Sequence, residues 1–190
     1  MWAHDKCKPI ISMGIVCALL LGHITAIADQ QYHDERIYSL GFGMLAHDVD
    51  LDWANDREED GVDYNLEVVF NQIPLEFWQG KFHPNMGISV NDRGNTSKVY
   101  AGMLWRRALT DRVTFSSGLS LVLHDGETNQ KVEGSKRLGS RMLFRIPLEL
   151  GYDFNNSNSV AIVLEHTSNA SIDFPNEGMD SLGVRYQYRF

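Results

Sequence analysis

From about residue 36 to the C-terminus, apolar and polar side chains alternate in short stretches separated by turn-like residues. Successive side chains of a strand point to opposite sides, so such stretches become strands with one oily and one polar face. Past residue 28 no apolar run approaches the length of a membrane-spanning helix, and repeated alternation of this kind is the signature of a transmembrane barrel. The alternation predicts eight strands, over 36–47, 63–71, 82–91, 97–107, 112–124, 137–154, 158–169 and 179–190. An even count is what a bacterial barrel requires.

The sixth segment is the clearest. Leu138, Met142, Phe144, Ile146, Leu148, Leu150, Tyr152 and Phe154 share one parity, and Arg137, Arg141, Arg145, Glu149 and Asp153 share the other. A soluble eight-stranded barrel would alternate too, with its apolar face inward, and parity alone does not say which face is inside. Aromatic residues at strand ends (Tyr152, Phe154, Tyr186, Tyr188) and the terminal Phe190 favour the membrane form, in which the apolar face meets lipid. The last five residues, Tyr186 to Phe190, resemble the aromatic C-terminal signature of outer-membrane barrels. The expected fold class is therefore all-β, an eight-stranded antiparallel transmembrane β-barrel of the bacterial outer membrane. Arg141, Arg145, Arg185, Glu67, Glu149 and Glu165 are then expected in the lumen. Glycines 41, 43, 102 and 118 are expected to relieve crowding in so narrow a barrel. The longer connections, 48–62, 125–136 and 170–178, fall outside the cell, and the turns at 108–111 and 155–157 face the periplasm.

The N-terminus agrees with export. Lys6 and Lys8 precede an apolar run from Gly14 to Ala28 that ends Ala26-Ile27-Ala28, a small-residue cleavage pattern. Residues 1–28 are expected to be a signal peptide and 29–190 one domain of about 160 residues, the barrel. Both cysteines, Cys7 and Cys17, lie in the signal, so the mature chain has neither disulfides nor cysteine-ligated zinc. A formal net charge of −8 argues against a nucleic-acid partner.

One segment carries chemistry on its oily face. His166 and Ser168 lie two residues apart, in phase with Val160, Ile162 and Leu164. Asp180, in the last segment, is in phase with Leu182, Val184 and Tyr186. All three are thus expected on the lipid-facing wall, near its extracellular end. Serine is a weak nucleophile until a base takes its proton, histidine titrates near neutrality, and a carboxylate orients the imidazole. Asn169 and Asn176 are candidate donors for an oxyanion. A polar strand end at the water interface would use the same residue types, so spacing alone leaves both readings open.

The run His166-Thr167-Ser168-Asn169-Ala170, followed by Pro175-Asn176-Glu177-Gly178-Met179-Asp180, resembles the site region of the lipid A 3-O-deacylase (PagL) family. Leu138-Gly139-Ser140-Arg141 and Glu149-Leu150-Gly151-Tyr152 are similar to the same family. The resemblance implies an outer-membrane barrel that hydrolyses the ester-linked hydroxyacyl chain at the 3 position of lipid A. It implies His166 as base, Ser168 as nucleophile and Asp180 as acid, where better-known members carry Glu; Glu177 is the fallback acid. Lipopolysaccharide is the implied substrate, among outer-membrane lipids, and neither metal nor cofactor is required. A homodimer is compatible with the sequence. The competing readings are a non-enzymatic barrel for adhesion or surface protection and an acyltransferase acting on lipid A.

Two other signals are discounted. Asp48, Asp50, Asp52, Asp56 and Glu59 echo a calcium loop, but Trp53 occupies the turn-glycine position and strands flank the run, so a solvated acidic loop is expected. His47, His83 and His124 fall at strand ends and are expected to be interfacial or loop residues.

Overall fold

The computed structural model describes residues 36–51 and 57–190; the expected signal peptide and Asp52, Trp53 and Asp56 of the acidic loop lie outside them. The described chain is built of strands: β1 (Ile37–Ala46), β2 (Val62–Phe70), β3 (Glu76–Phe77), β4 (Gly80–Asn91), β5 (Lys98–Ala108), β6 (Val113–His124), β7 (Met142–Asp153), β8 (Asn158–Ser168) and β9 (Met179–Arg189). All neighbours pair antiparallel. The last strand, β9, pairs with β1, and β2 pairs with β4, which closes a ring of eight. The two-residue β3 pairs only with the start of β4, within the link where Pro74 interrupts the alternation.

Parity decides which side chains meet across the wall. Along β1, Leu40, Phe42 and Met44 are exposed, while Ser39, Gly41, Gly43 and Leu45 are buried. The same apolar-out pattern in β6, β7, β8 and β9 gives a continuous outer belt, including Leu119, Leu121, Ile146, Leu148, Ile162 and Val184. A belt of that extent far exceeds the apolar patches that soluble proteins leave in water, and lipid is its natural solvent. At the short-turn end it finishes in edge-to-face aromatic pairs, Tyr152 with Phe154 and Tyr188 with Phe190.

Inside, charged side chains pair with one another. Arg185 donates to Glu67 at 2.9 Å, Glu149 at 2.5 Å and Asn65 at 3.0 Å. Arg145 donates to Glu165 at 2.6 Å and lies over the Tyr100 ring. Lys98 reaches the other oxygen of Glu165 at 2.7 Å. The lumen is therefore packed with side chains. Gly41 is glycine for that reason, since a Cβ there would come within 2.7 Å of the Arg185 side chain.

Three expectations need correction. The sixth segment starts at Met142 and not at 137, because Gly139 takes a left-handed φ of 74° that a strand cannot continue through. Leu138 consequently turns inward to pack with Tyr100, Val122 and Leu143, and Arg141 leaves the lumen to donate to the Gly126 carbonyl at the surface. The acidic stretch is not wholly solvated either: Asp48 and Glu59 are buried. Nor is His47 a surface histidine; it is buried between Asp63 at 2.8 Å and Glu59 at 2.9 Å. His83 is buried as well, against the Phe70 carbonyl, and His124 is half-buried against that of Ser140.

Glu59 ties the long-loop end together. Its two oxygens accept from His47, from the amide and hydroxyl of Thr96, and from the Lys136 amide. The loops after β1, β4 and β6 thus share one carboxylate. Burial opposes the charge on His47, but the hydrogen bonds to Asp63 and Glu59 outweigh it and raise its pKa from 6.5 to about 9. Burial likewise opposes the charge on Glu59, and its bonds to His47, Thr96 and Lys136 hold its pKa below the ordinary 4.5.

Two outcomes follow for stability. His47 binds its proton more tightly when folded, so its contribution is complete below pH 6.5 and is lost as pH rises through about 9. The contribution of Glu59 is complete above 4.5 and is lost on acidification. Amide-exchange protection of residues 57–61, corrected for intrinsic rates, should peak between those values and decline toward pH 9; a flat profile would contradict the assignment. In the lumen, Arg185→Met strips Glu67 and Glu149 of their shared cation and should destabilise the barrel by about 3–5 kcal/mol. Urea unfolding in detergent micelles measures this, and an unshifted midpoint would count against it.

Candidate active site

The end of β8 and the start of β9 build the site. Their register sets His166 directly opposite Asp180, with Leu164 opposite Leu182 one step deeper in the wall. On the other side of β8, His166 faces Ile146 and Ser168 faces Phe144 of β7. The three polar residues therefore sit above an apolar surface formed by their own strands.

His166 Nδ1 lies 2.8 Å from Asp180 Oδ1, and Nε2 lies 3.0 Å from Ser168 Oγ. A carboxylate only accepts, so Nδ1 carries the proton and Nε2 is left to accept from the serine hydroxyl. The hydrogen bonds run Ser168 to His166 to Asp180. That order is the one needed to remove a proton from Ser168 Oγ.

Aspartate reaches far enough here for a geometric reason. Directly opposed residues of an antiparallel pair have Cβ atoms roughly 4.5–5.5 Å apart. Nδ1 is the ring nitrogen nearer the backbone, so a short acid opposite the histidine can meet it. Asp180 nevertheless does not contact lipid as its parity predicts. It is 1% exposed, beside a His166 side chain that is 39% exposed. The loop after β1 reaches this residue, where the Val49 amide donates to the Asp180 carbonyl at 2.8 Å.

The remaining sequence candidates separate. Glu177 does not reach His166; it is paired with Arg137, accepting from its backbone amide at 2.7 Å and its guanidinium Nε at 2.8 Å. Asn169 is buried, and its side-chain amide donates to the carbonyls of Leu138, Asp173 and Pro175. Its backbone N–H is taken by Asn176 Oδ1. Asn169 thus anchors the loop 170–178 and has no donor to spare for an oxyanion. Asn176 donates to the Ser171 hydroxyl at 3.2 Å, near the surface.

Gly178, quoted above only as part of the family-like run, has a place of its own in the site. A Cβ at this position would lie 2.9 Å from His166 Cε1 and 3.4 Å from Ser168 Cβ, so the backbone itself forms one wall of the site. Its place, two residues before Asp180 and just ahead of the opposing strand, was the available signal. In the same loop Ile172 and Phe174 are 76% and 81% exposed, an unusual display of apolar surface beside polar side chains.

Known proteins share this plan. The family described as lipid A 3-O-deacylase (PagL) matches residues 41–189, which include both strands of the site. Lipid A deacylase PagL of Bordetella bronchiseptica is 38% identical over 55 residues, 29% of this chain and 31% of that protein, so the match spans less than a third of the relative's length. Among solved structures, the outer membrane enzyme PagL gives a TM-score of 0.60 at 18% identity, covering 80% of this chain and 99% of that one. Neisserial surface protein A (NspA) gives 0.52 at 7% identity, covering 80% and 97%. Those two likenesses concern the fold. With its outer apolar belt, closed ring of eight strands and family match over most of its length, this chain is an outer-membrane β-barrel of the lipid A 3-O-deacylase (PagL) family.

Proposed function

We propose that the protein hydrolyses the ester-linked 3-hydroxyacyl chain at the 3 position of lipid A in the outer leaflet, with Ser168 as nucleophile, His166 as general base and Asp180 as the orienting acid. The observation that carries this reading is the imidazole of His166 held between Asp180 and Ser168 on the outer wall. A polar strand end serving only the interface has no need to bury its aspartate and aim it at a histidine. Family membership supports the substrate class.

The steps follow from the hydrogen bonds. Ser168 Oγ attacks the ester carbonyl carbon as its proton passes to His166 Nε2. The tetrahedral intermediate collapses, the bond from carbonyl carbon to sugar oxygen breaks, and Nε2–H protonates the departing sugar oxygen. Water, deprotonated by His166, then attacks the acyl-serine; the bond from carbonyl carbon to Ser168 Oγ breaks, Nε2–H returns its proton to Oγ, and a free 3-hydroxy fatty acid leaves. Asp180 holds the tautomer and balances the imidazolium in both halves. Asn176 is the better oxyanion donor of the two asparagines, because its amide donates to an exposed hydroxyl and not to buried carbonyls. The reaction as written draws on side chains and water. The apolar wall below the site suits a substrate arriving from the bilayer, with its chain against Phe144, Ile146 and Leu182.

Lipid A from cells expressing the protein should lose the mass of one 3-hydroxyacyl group. Ser168→Ala and His166→Asn should each abolish the loss, with rates down at least about 10³-fold, and Asp180→Asn should reduce it by about 10² to 10⁴-fold. Unchanged lipid A with folded protein would point to a non-enzymatic barrel, and added mass to acyl transfer. Retained deacylation in Ser168→Ala would remove the serine from the mechanism.

A further inference from the structure

We propose that Lys136, in the loop between β6 and β7, is a positioning residue of the active site, which pins the Gly178 peptide against the His166 imidazole. The inference rests on the reading of His166, Ser168 and Asp180 as the catalytic set.

Lys136 is fully buried, and its ammonium sits between two oxygens: Asp48 Oδ1 at 2.9 Å and the Gly178 carbonyl at 2.8 Å, to which it donates. Each partner is itself held. Asp48 adopts a left-handed φ of 48°, and its second oxygen accepts the amides of Glu58 and Glu59. The Lys136 amide donates to Glu59 at 3.0 Å, which fixes the base of the side chain. The residue after Asp48 supplies the amide that bonds the Asp180 carbonyl. Two loops remote in sequence therefore close on consecutive parts of one short stretch, one at Gly178 and one at Asp180.

That stretch is where the imidazole is supported. Asp180 holds Nδ1 from across the strand pair, and the Gly178 backbone lies against Cε1 so closely that a Cβ would come within 2.9 Å. With Gly178 free to move outward, the ring can tilt away from Ser168 Oγ while its bond to Asp180 persists. A displacement of about 1 Å at a reacting group is enough to cost about 10²-fold in rate. Burying an ammonium to close a loop is a poor use of charge, because an apolar side chain of similar volume closes loops as well or better. What the charge adds is a directional bond to one chosen carbonyl. Gly178 O is that carbonyl, and Asp48 compensates the charge.

The test compares three variants with the full-length protein in mixed micelles of lipid A and detergent, and scores folding by heat-shifted migration in SDS gels. Lys136→Met removes the clamp. The double variant Asp48→Asn/Lys136→Met also removes the stranded carboxylate, so that no buried charge is left uncompensated. Ser168→Ala serves as the reference for the underlying mechanism. The expected result is folded barrels in which both Lys136 variants lose at least about tenfold in kcat while KM stays within about twofold. Wild-type kcat in the folded double variant, with Ser168→Ala inactive, would overturn the role of Lys136 and leave the catalytic assignment standing. Loss of folding in the double variant would also overturn it, since Lys136 would then hold the barrel and not the site. Activity in Ser168→Ala would instead overturn the reading on which the inference rests.

Discussion

The cross-strand register of β8 and β9 puts His166 opposite Asp180, and everything proposed for the outer wall depends on it. A slip of one residue between the two strands would leave these side chains on opposite faces of the wall. The lumen guards against that slip. Glu165, next to His166, is locked between Arg145 and Lys98, and Arg185 of β9 is locked onto Glu67 and Glu149 of strands β2 and β7. Any shift of β8 or β9 would pull these buried charges off their partners. The buried ion pairs thus act as a register device, a use of buried charge that fits their doubtful value as sources of stability.

Outer and inner faces consequently have different tasks. The inner face is mostly polar, with its charges paired; the outer face carries the apolar belt, and the catalytic candidates lie where strands β8 and β9 meet the long-loop end. There the loops fold over the rim, and their own buried charges, His47, Asp48, Glu59 and Lys136, form a second layer above the lumenal one. This layer leaves His166 partly open to the bilayer side while sealing Asp180. An acid sheltered from water and a histidine open to substrate suit a reaction carried out at a membrane surface. The exposed Ile172 and Phe174 belong to the loop that joins the two strands of the site.

Much of this was legible in the sequence, because a closed barrel converts the period-two pattern directly into geometry. Eight strands, the apolar exterior, the paired lumenal charges and the shared face of His166, Ser168 and Asp180 all follow from parity. The failures lie where parity stops. Residues 137–141 continue the alternation on paper, yet the left-handed Gly139 ends the strand and sends Leu138 and Arg141 the opposite way. The bond from Val49 to the Asp180 carbonyl and that from Lys136 to the Gly178 carbonyl come from loops remote in sequence, and no local pattern reports them. His47 and Asp63 share the inward parity of their strands, so their approach could be anticipated. Glu59 could not be placed, since it reaches them through an irregular loop.

The central claim is that Ser168 is a nucleophile activated by His166 and facing the bilayer. Labelling the folded barrel in micelles with a long-chain alkyl fluorophosphonate, followed by peptide mass analysis, addresses it directly. A single adduct is expected on Ser168, forming readily in the native protein and lost in His166→Asn. An adduct on a different residue, or labelling of Ser168 at an unchanged rate without the histidine, would contradict it.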